Sequence, residues 1–332
     1  MDRSPVRAEL PITDQTMDQI LFAVLNGAIY GLLLFMVSAG LTLIFGMMGV
    51  LNFAHASFYM MGAYFAYTLQ PLTGFWLAIL IAPVIVGIVG IVGVLVERFI
   101  LRRVHAFGHA HELLVTFGLS VVIAEVIKIF YGNFAVEYRI PAALQFSAFD
   151  LGGVSYPFYR LFIGAVALVM FLLIYLLLTR TRIGIVVRSA IYRPRMVEAL
   201  GHNVPLVFMG VFGVGAFLAG LAGSVAGAFY TTNPNMALEL GVMVFVVVVV
   251  GGLGSLGGAM FASLLIGILS SVAVGVKVSI ASLLDYVGLG DYAREIGGVL
   301  TLEVSSIAAT LPFFLMLIVL LVRPSGLFGA KE

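Results

Sequence analysis

The sequence predicts an all-α polytopic membrane protein with about eight or nine transmembrane helices, formed as a single domain over residues 1–332. Of the 332 residues, 62% are hydrophobic and 10% are charged, and the mean hydropathy is +1.17. Soluble domains carry about 25% charged residues, so this composition excludes an ordinary soluble protein. The apolar runs are long and do not alternate with polar residues, which favours helices over the strands of a barrel.

Apolar runs predict the helical segments in chain order. They cover residues 20–45, 53–69, 76–96, 113–130, 161–179, 206–230, 240–276 and 310–322. A bilayer core about 30 Å thick needs roughly 20 helical residues, so the run 240–276 is too long for one crossing. GGLGSLGG (251–258) interrupts this run, which leaves two short spans or a re-entrant hairpin as alternatives. A second broken or re-entrant segment is predicted near residues 46–55.

The remaining segments are predicted to lie outside the bilayer. Residues 1–18 are polar and lack the apolar core of a signal peptide, and residues 277–309 read as an amphipathic or extramembrane insert. Arginine concentrates in residues 97–112 and 180–205 and near the C-terminus. The positive-inside rule therefore predicts that these three segments are cytoplasmic. The side of the N-terminus stays open, because acidic residues offset its arginines.

The residue content gives no catalytic or metal site. There is no cysteine, and no Ser–His–acid arrangement can be argued from the histidines. His105, His109 and His111 have a spacing typical of metal ligands, but only Glu112 stands beside them, so we expect a solvated loop. GGLGSLGG lacks the lysine of a phosphate-binding loop, so any ATP would be bound by another subunit. A net charge of +1 gives no argument for nucleic acid.

Two polar side chains, Asn52 and His55, stand in GVLNFAHASF (49–58), inside a run from Ile20 to Leu69 without Asp, Glu, Lys or Arg. Unpaired polar groups in lipid cost several kcal/mol, so both side chains are expected to face protein or water. They either hydrogen-bond an adjacent helix and brace the break, or line a pathway. The sequence leaves both alternatives open.

The two breaks form a weak internal repeat, in which a short apolar helix runs into small residues and a second helix follows. The first break contains Gly49, and the second contains Gly252, Gly254 and Gly257. Non-helical backbone at membrane depth is tolerated only inside protein or beside a water-filled cavity, and transporters place sites at repeat interfaces. These glycines are therefore predicted to form a gate, with a pair of ordinary helical hairpins as the alternative.

Four blocks of the chain resemble a known family, the permease subunits of ABC importers for branched-chain amino acids (high-affinity Liv-type inner-membrane permeases). In residues 25–67 the family's first signature is matched by Asn26, Gly27, Gly31, Gly40, Leu41, Leu43, Gly46, Asn52, Ala54 and His55. The other blocks are residues 180–223, 248–269 and 321–329. Leu34, Met36, Ser38 and Ala56 depart from the family's pattern.

The resemblance implies a permease that is not itself an enzyme and has no cofactor of its own. A second related permease would complete a heterodimer in the bacterial inner membrane, two cytoplasmic ATPases would bind ATP and Mg²⁺, and a periplasmic binding protein would deliver substrate. The substrate would be a branched-chain or other small amino acid, or a related small polar metabolite. The pathway candidates are Asn26, Tyr30, Asn52, His55 and Ser255.

The same resemblance makes residues 180–205 the segment that couples to the ATPases, with Arg188, Glu198, Ala199 and Gly201 as candidates. Gly201 is a typical helix-stop residue, and a short helical loop of this kind can seat in a partner's groove. Two other classes stay open: a passive channel for urea or a similar solute, and an ion-coupled secondary transporter. Neither needs an ATPase dock, so the pattern VEALGHNV (197–204) argues against both.

Overall fold

The computed structural model describes residues 14–49, 52–96, 109–151, 154–276, 278–285 and 290–329. Seven helices in this part of the chain are long and apolar enough to cross a membrane by length and composition. These helices confirm an all-α polytopic membrane protein. The arginine-rich residues 97–108, the histidine His105, most of the polar segment 1–18 and the centre of the first break, residues 50–51, lie outside the described residues.

The helices follow the apolar runs closely. The long ones are α1 (Asp14–Met48), α2 (His55–Thr73), α3 (Phe75–Val96), α4 (His109–Tyr131), α5 (Phe158–Arg180), α8 (Val204–Ala226), α9 (Met236–Gly251) and α10 (Leu256–Gly275). The shorter ones are α6 (Arg182–Tyr192), α7 (Pro194–Ala199), α11 (Ile280–Leu284), α12 (Gly290–Ile296), α13 (Val304–Ile307) and α14 (Leu311–Val322). The last membrane-length stretch, Val304–Val322, combines α13, a 3₁₀ turn and α14.

The bundle has two ends, which we name by their contents. The hairpin end carries residues 132–151, 154–157, 278–285 and 290–310, and the basic end carries residues 180–205 and 323–329. At the hairpin end, β1 (Ser147–Leu151) and β2 (Val154–Pro157) pair antiparallel. This hairpin lies between the predicted spans 113–130 and 161–179, where no element was predicted.

Helix α1 begins at the hairpin end and finishes at the basic end. In the first half of α1, the Asn26 side chain accepts a hydrogen bond from the Tyr156 hydroxyl of β2 at 3.0 Å. Near its last turn, Gly46 lies against Gly254, and a Cβ on Gly254 would be 3.1 Å from the Gly46 Cα. The start of α1 thus lies at the same end as the hairpin, and residues 180–205 lie at the opposite end.

The run 240–276 forms two helices that cross the bundle in opposite directions. Thr232, just before α9, pairs with Val136 at the hairpin end, and the end of α9 packs on the chain's last described residues at the basic end. Helix α10 then returns to the hairpin end. With 16 residues, α9 is shorter than the other crossing helices, and the second break is the turn 252–255 between it and α10.

The two helix–break–helix units run in the same sense. Both α1 and α9 run from the hairpin end to the basic end, and α2 and α10 run back. The first helix of each unit packs on the second helix of the other unit: α1 packs on α10, and α9 packs on α2. This exchange of partners fits a parallel repeat about an axis along the membrane normal.

Helix α8 packs against α2 with almost no space between the backbones. A Cβ on Gly223 would lie 1.8 Å from the carbonyl oxygen of Tyr59, and one on Gly62 would lie 2.1 Å from that of Gly220. Because glycine lacks a Cβ, the two helices approach more closely than they could with any other residue at these positions. Small residues therefore fix the position of α2, which carries His55 at its start.

Candidate functional site

A cavity of about 610 Å³ opens at the hairpin end of the bundle. Helices α1, α2, α9 and α10, the connection after α8 and the start of α14 form its wall. Its lining consists of Tyr30, Leu33, Tyr59, Tyr230, Thr231, Asn233, Met236, Glu239, Leu240, Met243, Ser270, Ala309 and Pro312. Its volume suits a small molecule, since ligand sites typically enclose about 300–1,000 Å³.

The cavity combines an apolar wall with a few polar groups. Glu239, in the first turn of α9, is the only carboxylate among the described residues that line it. The Ser270 hydroxyl is buried and has no hydrogen-bond partner in the described structure. A carboxylate beside apolar side chains suits a ligand that carries an ammonium group and an apolar portion. Of the five pathway candidates, Tyr30 alone lines this cavity.

Asn26 joins α1 to the hairpin. Its side-chain oxygen accepts hydrogen bonds from the Tyr156 hydroxyl and from the Arg160 guanidinium. Arg160 also lies over the Phe229 ring, 5.0 Å from the ring centre. Burial raises the pKa of Tyr156, with Arg160 acting in the opposite direction, so this hydroxyl keeps the proton that it donates to Asn26.

His55 is buried between α1 and α2. Its Nε2 lies 3.1 Å from the Val37 carbonyl oxygen, which makes Nε2 the protonated nitrogen and donor, and its Nδ1 has no partner in the described structure. Gly40 lies against the ring, since a Cβ there would be 2.9 Å from the imidazole. The side-chain oxygen of Asn52 accepts a hydrogen bond of 3.0 Å from the backbone N–H of Ala54, and this bond closes the turn that starts α2.

The space beside Asn52 and His55 is small. A cavity of about 10 Å³ lies between them and α9, against Val244 and Phe245. That volume is close to the minimum that holds one water molecule. In this conformation, therefore, the two side chains face protein and have no room for a substrate.

Gly252, Gly254 and Ser255 belong to the turn between α9 and α10. The Ser255 hydroxyl caps α10 by accepting the Gly258 N–H at 3.1 Å. Gly252 and Gly254 have φ angles of +102° and +82°, which side chains rarely adopt. Gly257 lies in the first turn of α10, where a Cβ would meet nothing within 4 Å. Gly49 ends α1 with φ at +67°.

A strap formed by residues 326–329 covers this turn, a contact that the sequence did not predict. The N–H groups of Leu327 and Phe328 donate to the carbonyl oxygens of Val250 and Gly251 at 2.9 and 3.0 Å. The last carbonyls of a helix have no partner within it, so the strap satisfies two such groups of α9. The third and fourth signature blocks of the sequence thus form one contact.

Comparison with known proteins decides the family. Residues 23–321 match the family model described as branched-chain amino acid transport system / permease component. The chain belongs to this family. It is similar to the high-affinity branched-chain amino acid transport system permease protein BraD of Pseudomonas aeruginosa, with 27% identity over 92% of this chain and 95% of that protein.

Two further relatives agree with this assignment. High-affinity branched-chain amino acid transport system permease protein LivH of Escherichia coli K12 is 26% identical over 92% of this chain and 94% of that protein. The probable branched-chain amino acid transport permease protein LivH of Methanocaldococcus jannaschii is 28% identical over 75% of this chain and 80% of that protein. No solved structure matches the chain.

At the basic end of this permease-family chain, α6 and α7 form an open groove of about 590 Å³. Arg188 and the side chains of Met196 and Leu200 line it, and Leu200 is 78% exposed. Glu198 and Ala199 are exposed at the end of α7, and Gly201 follows with φ at +87°. Exposed apolar side chains beside an arginine are typical of a surface that binds another protein.

Proposed function

We propose that this chain is the membrane-spanning subunit of an ATP-driven importer for branched-chain or other small amino acids and related small polar metabolites. The hairpin-end cavity carries the proposal, because its wall is apolar and Glu239 is the one carboxylate among the described residues that line it. Membership of the branched-chain amino acid permease family supports the substrate class. An importer needs such a cavity on the side from which substrate arrives.

In this proposal the substrate's ammonium group binds near Glu239 and its apolar side chain packs between α1 and α9. Tyr30 belongs to the wall of the pathway. Asn26, Asn52, His55 and Ser255 border the pathway by holding the helix ends and breaks in place. Opening the turn 252–255 would extend the cavity toward the basic end, with Gly49, Gly252, Gly254 and Gly257 as the gate.

Energy and delivery would come from other chains. Two ATPases that bind ATP and Mg²⁺ would dock at the α6–α7 groove, where Arg188, Glu198, Ala199 and Gly201 lie. A second related permease would complete the membrane unit, and a periplasmic binding protein would deliver substrate at the hairpin end. The chain would reside in the bacterial inner membrane, with residues 97–112, 180–205 and the C-terminus in the cytoplasm.

Uptake by vesicles that contain the assembled importer tests the energy source. We expect leucine to accumulate only when ATP is present on the ATPase side. Entry without ATP that stops at equal concentrations on both sides would favour a passive channel, and accumulation that follows an ion gradient would favour a secondary transporter. In the same vesicles, replacement of Glu198 or Gly201 should abolish substrate-stimulated ATP hydrolysis and leave membrane insertion unchanged.

A charge-removing variant tests the cavity. Glu239→Gln should lower the uptake rate, because the ammonium group loses its partner while the side chain keeps its size. Glu137→Gln is the matched control, since Glu137 lies at the same end, is exposed and does not line the cavity. Equal uptake by both variants would remove Glu239 from the pathway.

A further inference from the structure

A second apolar groove lies at the basic end, separate from the cavity and from the α6–α7 groove. It encloses about 510 Å³ between α1, α5, α6 and α8. Leu43, Leu177 and Val211 are among the apolar side chains in its wall. Helices α5 and α8 are two of the membrane-length helices, so the groove lies beside the part of the chain that crosses the bilayer.

The groove is open at its surface. Leu177 is 40% exposed and Val214 is 42% exposed, although both side chains are apolar. Gly210 also lines the groove, and a Cβ there would meet nothing within 4 Å. There is therefore unfilled apolar space that a hydrocarbon chain could enter without any movement of the backbone.

The groove also has a basic side chain. Arg182, the first residue of α6, and the imidazole of His202 line it, and none of the described residues that line it is a carboxylate. In the part of the chain that the structure describes, Arg182 makes no ion pair. A guanidinium without a carboxylate partner, beside an apolar groove at a membrane surface, suits a phosphate attached to acyl chains.

We propose that this groove binds one anionic phospholipid, with an acyl chain along α5 and α8 and the phosphate at Arg182 and His202. A neutral lipid would fill the apolar space equally well but would leave the charge of Arg182 without a counter-charge. The lipid would then join α6, which leads into the coupling segment, to the membrane helices on either side of it. This role does not depend on what the permease carries.

The test uses the full chain purified in detergent, with dioleoyl phosphatidylglycerol or dioleoyl phosphatidylcholine added and binding counted by native mass spectrometry. We expect phosphatidylglycerol to bind more tightly. Arg182→Gln should weaken its binding roughly fivefold, the usual contribution of one basic residue at an anionic surface. Arg180→Gln is the control, because Arg180 is two residues away and does not line the groove.

A second pair of variants tests the apolar part. Gly210→Leu fills the open space and should weaken the binding of both lipids. Gly118→Leu, at a helical glycine of α4 where a Cβ also meets nothing within 4 Å, should leave the binding of both lipids unchanged. Folding of each variant is checked by its melting temperature, and Arg182→Gln keeps the proposal testable if Gly210→Leu fails to fold.

Four results would overturn the proposal. Equal binding of the two lipids would show that the headgroup is not recognised. Equal losses in Arg180→Gln and Arg182→Gln would show diffuse surface charge. Competition by glycerol phosphate alone would indicate a site for free phosphate. Absence of bound phosphatidylglycerol from the wild-type chain would leave the groove to another occupant, such as a helix of a second permease subunit.

Discussion

Alanine should be much more damaging at Gly326 than at Gly49, although both glycines have positive φ angles, +78° and +67°. Gly326 lies in the strap, where a Cβ would be 2.5 Å from the Cα of Gly252. At Gly49 a Cβ would meet nothing within 4 Å. The two positions thus share the backbone conformation and differ in packing.

The expected free energies of unfolding follow from these contacts. A left-handed conformation costs a residue with a Cβ about 1–2 kcal/mol, and both variants lose this amount. Carbon atoms in ordinary contact are about 3.5–4.0 Å apart, so at Gly326 the strap must move by roughly 1 Å. Overpacking of this kind adds about 1–3 kcal/mol. The movement would also lengthen the hydrogen bonds of the strap to α9.

Thermal unfolding of the purified chain in detergent measures the difference, with wild type, Gly49→Ala and Gly326→Ala compared under the same conditions. We expect a small decrease in the melting temperature for Gly49→Ala and a clearly larger one for Gly326→Ala. Equal decreases would refute the reasoning, because they would show that the strap does not pack on the turn as described.

Three further outcomes follow from the contacts of single residues. Gly223→Ala should destabilise the α2–α8 contact by about 1–3 kcal/mol, whereas Gly118→Ala should not destabilise the chain, as the two melting temperatures will show. Ser255→Ala should cost about 1 kcal/mol through the lost cap of α10 and leave uptake per folded molecule unchanged; reduced uptake at unchanged stability would place Ser255 in the pathway instead. His55→Ala should cost about 1–3 kcal/mol, because the hydrogen bond to Val37 is lost, and a variant that stays as stable as wild type but stops transport would contradict a bracing role.

The membrane helices could be predicted because each is encoded locally. A run such as 161–179 is apolar over the length of a bilayer, and α5 (Phe158–Arg180) forms there whatever its neighbours are. The hairpin was missed because its strands are short. Its signal was present: two glycines separate SAFDL from VSYP, and a two-residue glycine link is a typical hairpin turn.

The site was harder to predict because its residues are far apart in sequence. Tyr30 and Glu239 come to one cavity only through the packing of α1, α9 and α10, which no local pattern encodes. The polar character of Asn52 and His55 correctly indicated contact with protein or water rather than lipid. It could not indicate that the adjoining space is about 10 Å³.

The strap bears on how the protein is made. Ribosomes synthesise the chain from the N-terminus, so α9 and the turn after it enter the membrane long before Leu327 and Phe328 exist. Until then the carbonyl groups of Val250 and Gly251 have no strap to bind, and the turn cannot take its final form. A chain that stops before Leu327 would therefore keep these two carbonyl groups of α9 unpaired at the basic end.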